Sequence, residues 1–167
     1  MQSIEITSEQ IERAKQLYPF KELNGSITKG QGNTYGALGE IIVYDLYKDK
    51  GFDVDFNSTY DYDLIINKKT IDVKTKKFTS RFKPSTKWTL NISDFNTTQK
   101  CDYYFFLGIS DDFKECFLYG YIKPANFYKI STFNKKGDID PNGNGSFTFM
   151  GDCHNLEIEK LTKFKSF

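Results

Sequence analysis

The amino-acid sequence predicts an α/β domain in which a mixed sheet is flanked by helices, and three observations carry that expectation. Apolar residues recur at helical spacing over Ile11, Ala14, Leu17 and Tyr18, and again from Tyr35 to Tyr47. Two short runs rich in Ile, Leu and Val flank a polar Asn67-Lys68-Lys69 centre, as a hairpin requires. The stretch Asp102 to Ile109 carries apolar residues on both faces, which suits a central strand.

The elements follow in order. A first helix, 7–18, starts where Thr7 can cap the amides while Gln10 reaches back, and Pro19 ends it. Lys21 to Gly32 is polar and glycine-dotted, hence a loop, and Lys29-Gly30-Gln31-Gly32 is too short to cradle a phosphate. A second helix runs from an Asn33 cap to a Gly51 stop. Gly36 and Gly39 each cost a helix interior about 1 kcal/mol, so both are expected where the helix approaches the sheet closely. Phe52 to Phe56 alternates like an edge strand with Asp53 and Asp55 solvated. Trp88 to Ile92 reads as a strand, Ser93 caps a short turn into Gln99, and Phe113 to Ile122 returns from the central strand across Asp111-Asp112.

The 167 residues suffice for one domain, 1–167, with its own core. That core is expected over about 34–122, with the 7–18 helix before it and a β-rich extension, 123–167, after it. In the extension, Asp138-Ile139-Asp140-Pro141-Asn142-Gly143 resembles half of a calcium loop. Phe149 stands where the bidentate glutamate belongs, so a turn through 138–145 into a strand from Ser146 to Met150 is expected instead. His154 lacks zinc-partner spacing, which leaves it a hydrogen-bonded structural role. Cys101, Cys116 and Cys153 are too few and too scattered for a disulfide framework and read as reduced packing residues. No apolar run approaches the ~20 residues of a spanning helix. A cytoplasmic protein with no membrane partner is predicted, in a bacterial or phage-infected cell.

The formal charge is +1, but it is unevenly spread. Between Lys68 and Trp88 eight basic residues face one acid, Asp72, so this segment is +7 and the remainder −6. Phe78, Phe82 and Trp88 interleave with the charges. Cations neutralise phosphates and rings stack on bases, so Lys76, Lys77, Arg81 and Lys83 are candidate nucleic-acid contacts and DNA the expected partner.

The hairpin concentrates the chemistry. Strand side chains alternate, so Asp72 and Lys74 point one way and Ile71 and Val73 the other. Antiparallel pairing then sets Asp63 on the same face as Asp72, because a slip of one residue would turn a carboxylate toward the core. Asp61 shares that face, but Asp63 directly precedes the apolar run. Crowded carboxylates call for a cation, and a hard divalent ion is the usual one. The acid, hairpin and acid-any-lysine order, Asp63 then Asp72-Val73-Lys74, resembles the PD-(D/E)XK nuclease superfamily with its restriction-endonuclease-like core. Tyr62 stands where the motif's name has proline.

Glu40, on the preceding helix, fits the glutamate that many members present to the metal. The resemblance, over about Thr34 to Ile122, implies a magnesium-dependent deoxyribonuclease, an endonuclease by preference, with manganese as substitute. It implies catalytic roles for Glu40, Asp63, Asp72 and Lys74, and metal ligation by Asp63, Asp72, the Val73 carbonyl and Glu40. It also makes a homodimer an expected form, since duplex cutters of this kind often pair. The other readings are a non-cutting nucleic-acid-binding module of the same fold, and a structural or interaction domain.

Overall fold

A computed structural model describes residues 1–17, 31–57, 59–140 and 147–164, with backbone only for 31–33. The elements in chain order are β1 (Gln2–Glu5), α1 (Ser8–Leu17), α2 (Gln31–Lys48), β2 (Val54–Phe56), β3 (Leu64–Ile66) and β4 (Lys69–Phe78). There follow β5 (Thr89–Ser93), β6 (Tyr103–Ser110), β7 (Glu115–Ile122), α3 (Pro124–Ile130), β8 (Thr132–Asn134) and β9 (Cys153–Glu157). Six strands form a mixed sheet in the order β1-β7-β6-β4-β3-β2, and three form a second sheet, β5-β9-β8.

Local signals set most of these elements. Thr7 Oγ1 accepts the Gln10 amide at 3.2 Å and Gln10 Oε1 accepts the Thr7 amide at 3.1 Å, the reciprocal cap expected for α1. α1 is then fastened to α2 by Arg13 Nη1, 2.8 Å from Asp45 Oδ1, and by Gln10 Nε2, 2.9 Å from Asp45 Oδ2. Gly51, at φ +81°, ends α2 as foreseen. The β3–β4 hairpin turns through Asn67 (φ +47°) and Lys68 (φ +66°), the doubly positive pattern of a two-residue type I′ turn. Asn67 Oδ1 also accepts the Asp53 amide, which pins the turn to the chain entering β2.

Several expectations are corrected. α2 begins at Gln31, so Gln31 and Gly32 are helical rather than loop. Lys29, Gly30, Pro19 and most of the expected 21–32 loop lie outside the described residues. The first strand, β1, carried no alternation to announce it and exists by pairing with β7. Among the described residues the expected strand from Ser146 to Met150 reduces to a single bridge, Thr148 to Ile139, with 141–146, the rest of the 138–145 turn included, outside them. Among the described residues no helix is long and apolar enough to cross a membrane.

β4 and β6 pair in parallel, from Ile71↔Tyr103 to Phe78↔Ser110, and both faces of that pair are covered. On one face Ile71, Val73, Phe105, Leu107 and Ile109 pack against α2 through Leu38, Ile41 and Ile42. On the other, Phe78, Tyr104 and Phe106 pack against Leu90, Ile92, Phe127 and Leu156. The crossover between β4 and β6 therefore runs through β5, and the C-terminal extension adds β9 and β8 to that strand. The two segments make a second layer against the central strands.

Only one of the two helix glycines serves a close approach. A Cβ on Gly39 would run into the Thr75 side chain on β4, whereas among the described residues nothing lies within 4 Å of one on Gly36. Gly39→Ala should therefore destabilise the fold by about 1–3 kcal/mol through overpacking. Gly36→Ala should stabilise it by up to about 1 kcal/mol through helix propensity. Urea unfolding followed by the single tryptophan, Trp88, compares the two directly.

Candidate active site

β3 is only three residues long, and its brevity builds the site. Leu64 pairs with Ile71 and Asp63 N–H donates to the Ile71 carbonyl at 3.0 Å, after which the chain turns away. β4 continues for seven residues beyond Ile71 with no β3 partner beside it. The next β4 amide facing that side belongs to Val73, and it donates to Asp63 Oδ2 at 2.7 Å. A side-chain carboxylate thus occupies the place a further β3 carbonyl would take. The Val73 carbonyl points to the same open side, since a strand residue's N–H and C=O face one neighbour.

Asp63 and Asp72 share the sheet face away from α2, as the alternation predicted, with their carboxyls within hydrogen-bonding reach of each other. Asp72 is only 3% exposed and Glu40, from α2, only 7%. Burial, then the charge of Glu40, then that of Asp72 push the Asp63 carboxyl up to about 8, against the lowering effect of the Val73 amide. At neutral pH this wedge therefore keeps a proton that a solvated aspartate would have lost. Lys74 Nζ stands 2.7 Å from Asp72 Oδ2 as an ion pair, though off the angle of a hydrogen bond, and among the described residues Oδ2 has no aligned donor. The ammonium also donates to Gln99 Oε1 at 3.1 Å and lies 5.6 Å from the Tyr104 ring centre. Asp63, Asp72 and Lys74 are brought together, and Glu40 is near enough for its charge to act on Asp63.

Asp61 is elsewhere. Its Oδ1 accepts the Lys100 amide at 3.0 Å, so it ties the turn before β3 to the segment before β6. Cys101 borders the site, and burial followed by the charge of Asp72 push its thiol up to about 12. It remains a neutral thiol there. His154 is hydrogen-bonded, Nδ1 to Ser131 Oγ and Nε2 to Asp94 Oδ1, and edges onto Tyr128.

The four basic candidates do not form one strip. Lys76 is part-buried and its ammonium donates to the Thr89 carbonyl of β5, bracing the two layers, and desolvation lowers its pKa. Lys77 projects from the opposite face, 5.4 Å from the Tyr35 ring centre. Arg81 and Lys83 are exposed in the loop after β4. Of the interleaved aromatics, Phe78 and Trp88 belong to the second core and Phe82 is exposed.

Among the described residues no three His, Cys, Asp or Glu side chains are already gathered into a metal cage. The donors nonetheless suit a hard cation. Three carboxylates and a backbone carbonyl are all oxygen, and the buried Asp72 Oδ2 lacks an aligned donor. Gln99, which touches Lys74, had no signal in the sequence, because 25 residues separate the two. No protein-family model matches the chain, and no curated protein matches it.

The raised Asp63 carboxyl has a measurable sign. Its ordinary value is 3.8 and its folded value about 8, so between these the native state holds a proton that the unfolded state has released. That contribution to stability is fully present below about 4 and is lost as pH rises toward about 8. In metal-free buffer, Asp63→Asn should gain stability relative to wild type as pH rises through this window. Urea titrations at pH 5 and pH 8 measure it, and a constant difference between the two proteins would contradict it.

Proposed function

We propose that this chain is a divalent-cation-dependent nuclease with a restriction-endonuclease-like core, hydrolysing DNA phosphodiesters at a PD-(D/E)XK-type site of Glu40, Asp63, Asp72 and Lys74. One observation carries it: Asp63 and Asp72 stand side by side, Lys74 pairs with Asp72 and the charge of Glu40 acts on Asp63, where β3 begins and the edge of β4 opens. A surface charge cluster would be solvated. This one is largely buried, and burying like charges is costly unless a cation offsets them.

Magnesium, with manganese as substitute, suits an all-oxygen donor set. When bound, such an ion would lower the pKa of a coordinated water and polarise a phosphoryl oxygen. Asp63, Asp72 and the Val73 carbonyl would hold it, with Glu40 binding directly or through water. Asp63 must first release its proton, so cation affinity should rise with pH up to about 8. Lys74, on the face of Asp72, would orient the attacking water and offset negative charge developing on the phosphate and the leaving oxygen. Lys77, Arg81 and Lys83 remain available to phosphates, whereas the Lys76 ammonium is engaged by Thr89.

Cleavage of duplex, single-stranded and branched DNA with magnesium tests the activity. Lys74→Ala should lower the rate by about 10²- to 10³-fold, the effect of removing one charge-stabilising donor. Calorimetry should show that it retains cation binding, while Asp72→Asn loses both. A wild type that cuts none of the three substrates would leave the non-cutting DNA-binding module. For the interface, neutralising Arg81 and Lys83 should flatten the slope of log affinity against log salt by roughly one unit each. Lys76→Met should leave the slope unchanged and lower thermal stability instead.

A further inference from the structure

We propose that Gln99 is a positioning residue for Lys74, an assignment whose kinetic consequence rests on the nuclease reading. Its amide bridges two partners. Oε1 accepts from Lys74 Nζ at 3.1 Å, and Nε2 donates to the Tyr60 carbonyl at 2.7 Å. A carbonyl only accepts and an ammonium only donates, so this pair of neighbours admits one orientation of the Gln99 amide. The acceptor end must face Lys74.

The scaffold behind Gln99 is fixed from both sides. Gln99 closes the 3₁₀ turn Asp94–Thr98, its own N–H bonded to the Asn96 carbonyl at 3.0 Å. Tyr60 Oη donates to the Phe95 carbonyl at 2.8 Å, and Asp61 Oδ1 accepts the Lys100 amide at 3.0 Å. The turn immediately before Asp63 and the segment immediately before β6 are therefore one clamped unit, and Gln99 carries its position to Lys74. Lysine has a long flexible stem, so its head needs anchors. Asp72 is one of them, at 2.7 Å, but Asp72 is also the carboxylate a divalent cation would claim. Gln99 then holds the ammonium without adding another negative charge to a wedge that already contains three acids.

Gln99→Met, similar in shape but without the amide carbonyl and N–H groups, separates hydrogen bonding from packing. With magnesium it should lower kcat by roughly 10- to 100-fold, as a misplaced catalytic group does, with little change in KM. In a Lys74→Ala background the same substitution should add no further loss, because its effect passes through the lysine. A second readout needs no metal and no activity. In the metal-free protein at low temperature, the NMR signal of the Lys74 ammonium protons should be protected from exchange in wild type and lost in Gln99→Met. An unchanged ammonium signal in Gln99→Met, or a full additional rate loss in the Lys74→Ala background, overturns the positioning role. A wild type with a protected ammonium but no cleavage of any DNA overturns the nuclease reading, and the kinetic role of Gln99 with it.

Discussion

The hydrogen bond from the Val73 amide to the Asp63 carboxylate is the contact on which the site depends. It exists because β3 begins only at Leu64, opposite Ile71, leaving an inner strand of the main sheet with one free edge beyond that pair. A carboxylate that replaces a missing strand cannot lie far from the strand it replaces, so Asp63 is drawn against Asp72. α2 then approaches closely enough to bring Glu40 into the same wedge. That approach is possible because residue 39 has no side chain, with Thr75 filling the space.

Crowding of this kind works against folding. Two acids are nearly excluded from water and a third is held by a backbone amide, with the Lys74 ammonium beside Asp72. In a medium less polar than water like charges repel strongly, and the wedge answers by retaining a proton on Asp63. The burial that offsets this cost surrounds the site. β4 and β6 are covered on both faces by apolar layers, and Tyr104, Phe105, Phe106 and Leu107 are almost wholly excluded from solvent. A charged site of this sort is affordable only beside strands packed from both sides.

The second sheet is part of that support. β5 lies within the crossover between the two parallel strands, and β9 pairs with it along five residues, so the C-terminal extension completes a layer begun near the middle of the chain. Lys76 reaches across to β5, and Tyr104 bonds to Tyr128, which in turn packs on His154. The floor beneath Lys74 is built from residues up to 80 positions away in sequence.

Local physics made much of this legible beforehand. Periodicity marked α1 and α2 though not α3, the Thr7–Gln10 cap marked a start, and the alternation of the hairpin put Asp63, Asp72 and Lys74 on one face. These features depend on neighbours a few residues apart, so the sequence by itself determined them. Strand β1 was invisible because Gln2–Glu5 is a strand only through pairing with β7. The contrast between Gly36 and Gly39 was equally hidden, since it depends on which side of α2 meets Thr75. The basic run after the hairpin looked continuous, yet the fold sends Lys76 into the β5 layer and Lys77 to the other face. Gln99 acquired its place beside Lys74 from the crossover alone. The sequence determined which side chains share a strand face, because that follows from backbone geometry. Which charges are buried, and which distant residue holds them, was decided only by tertiary structure, because burial and long-range contact are properties of the packed layers.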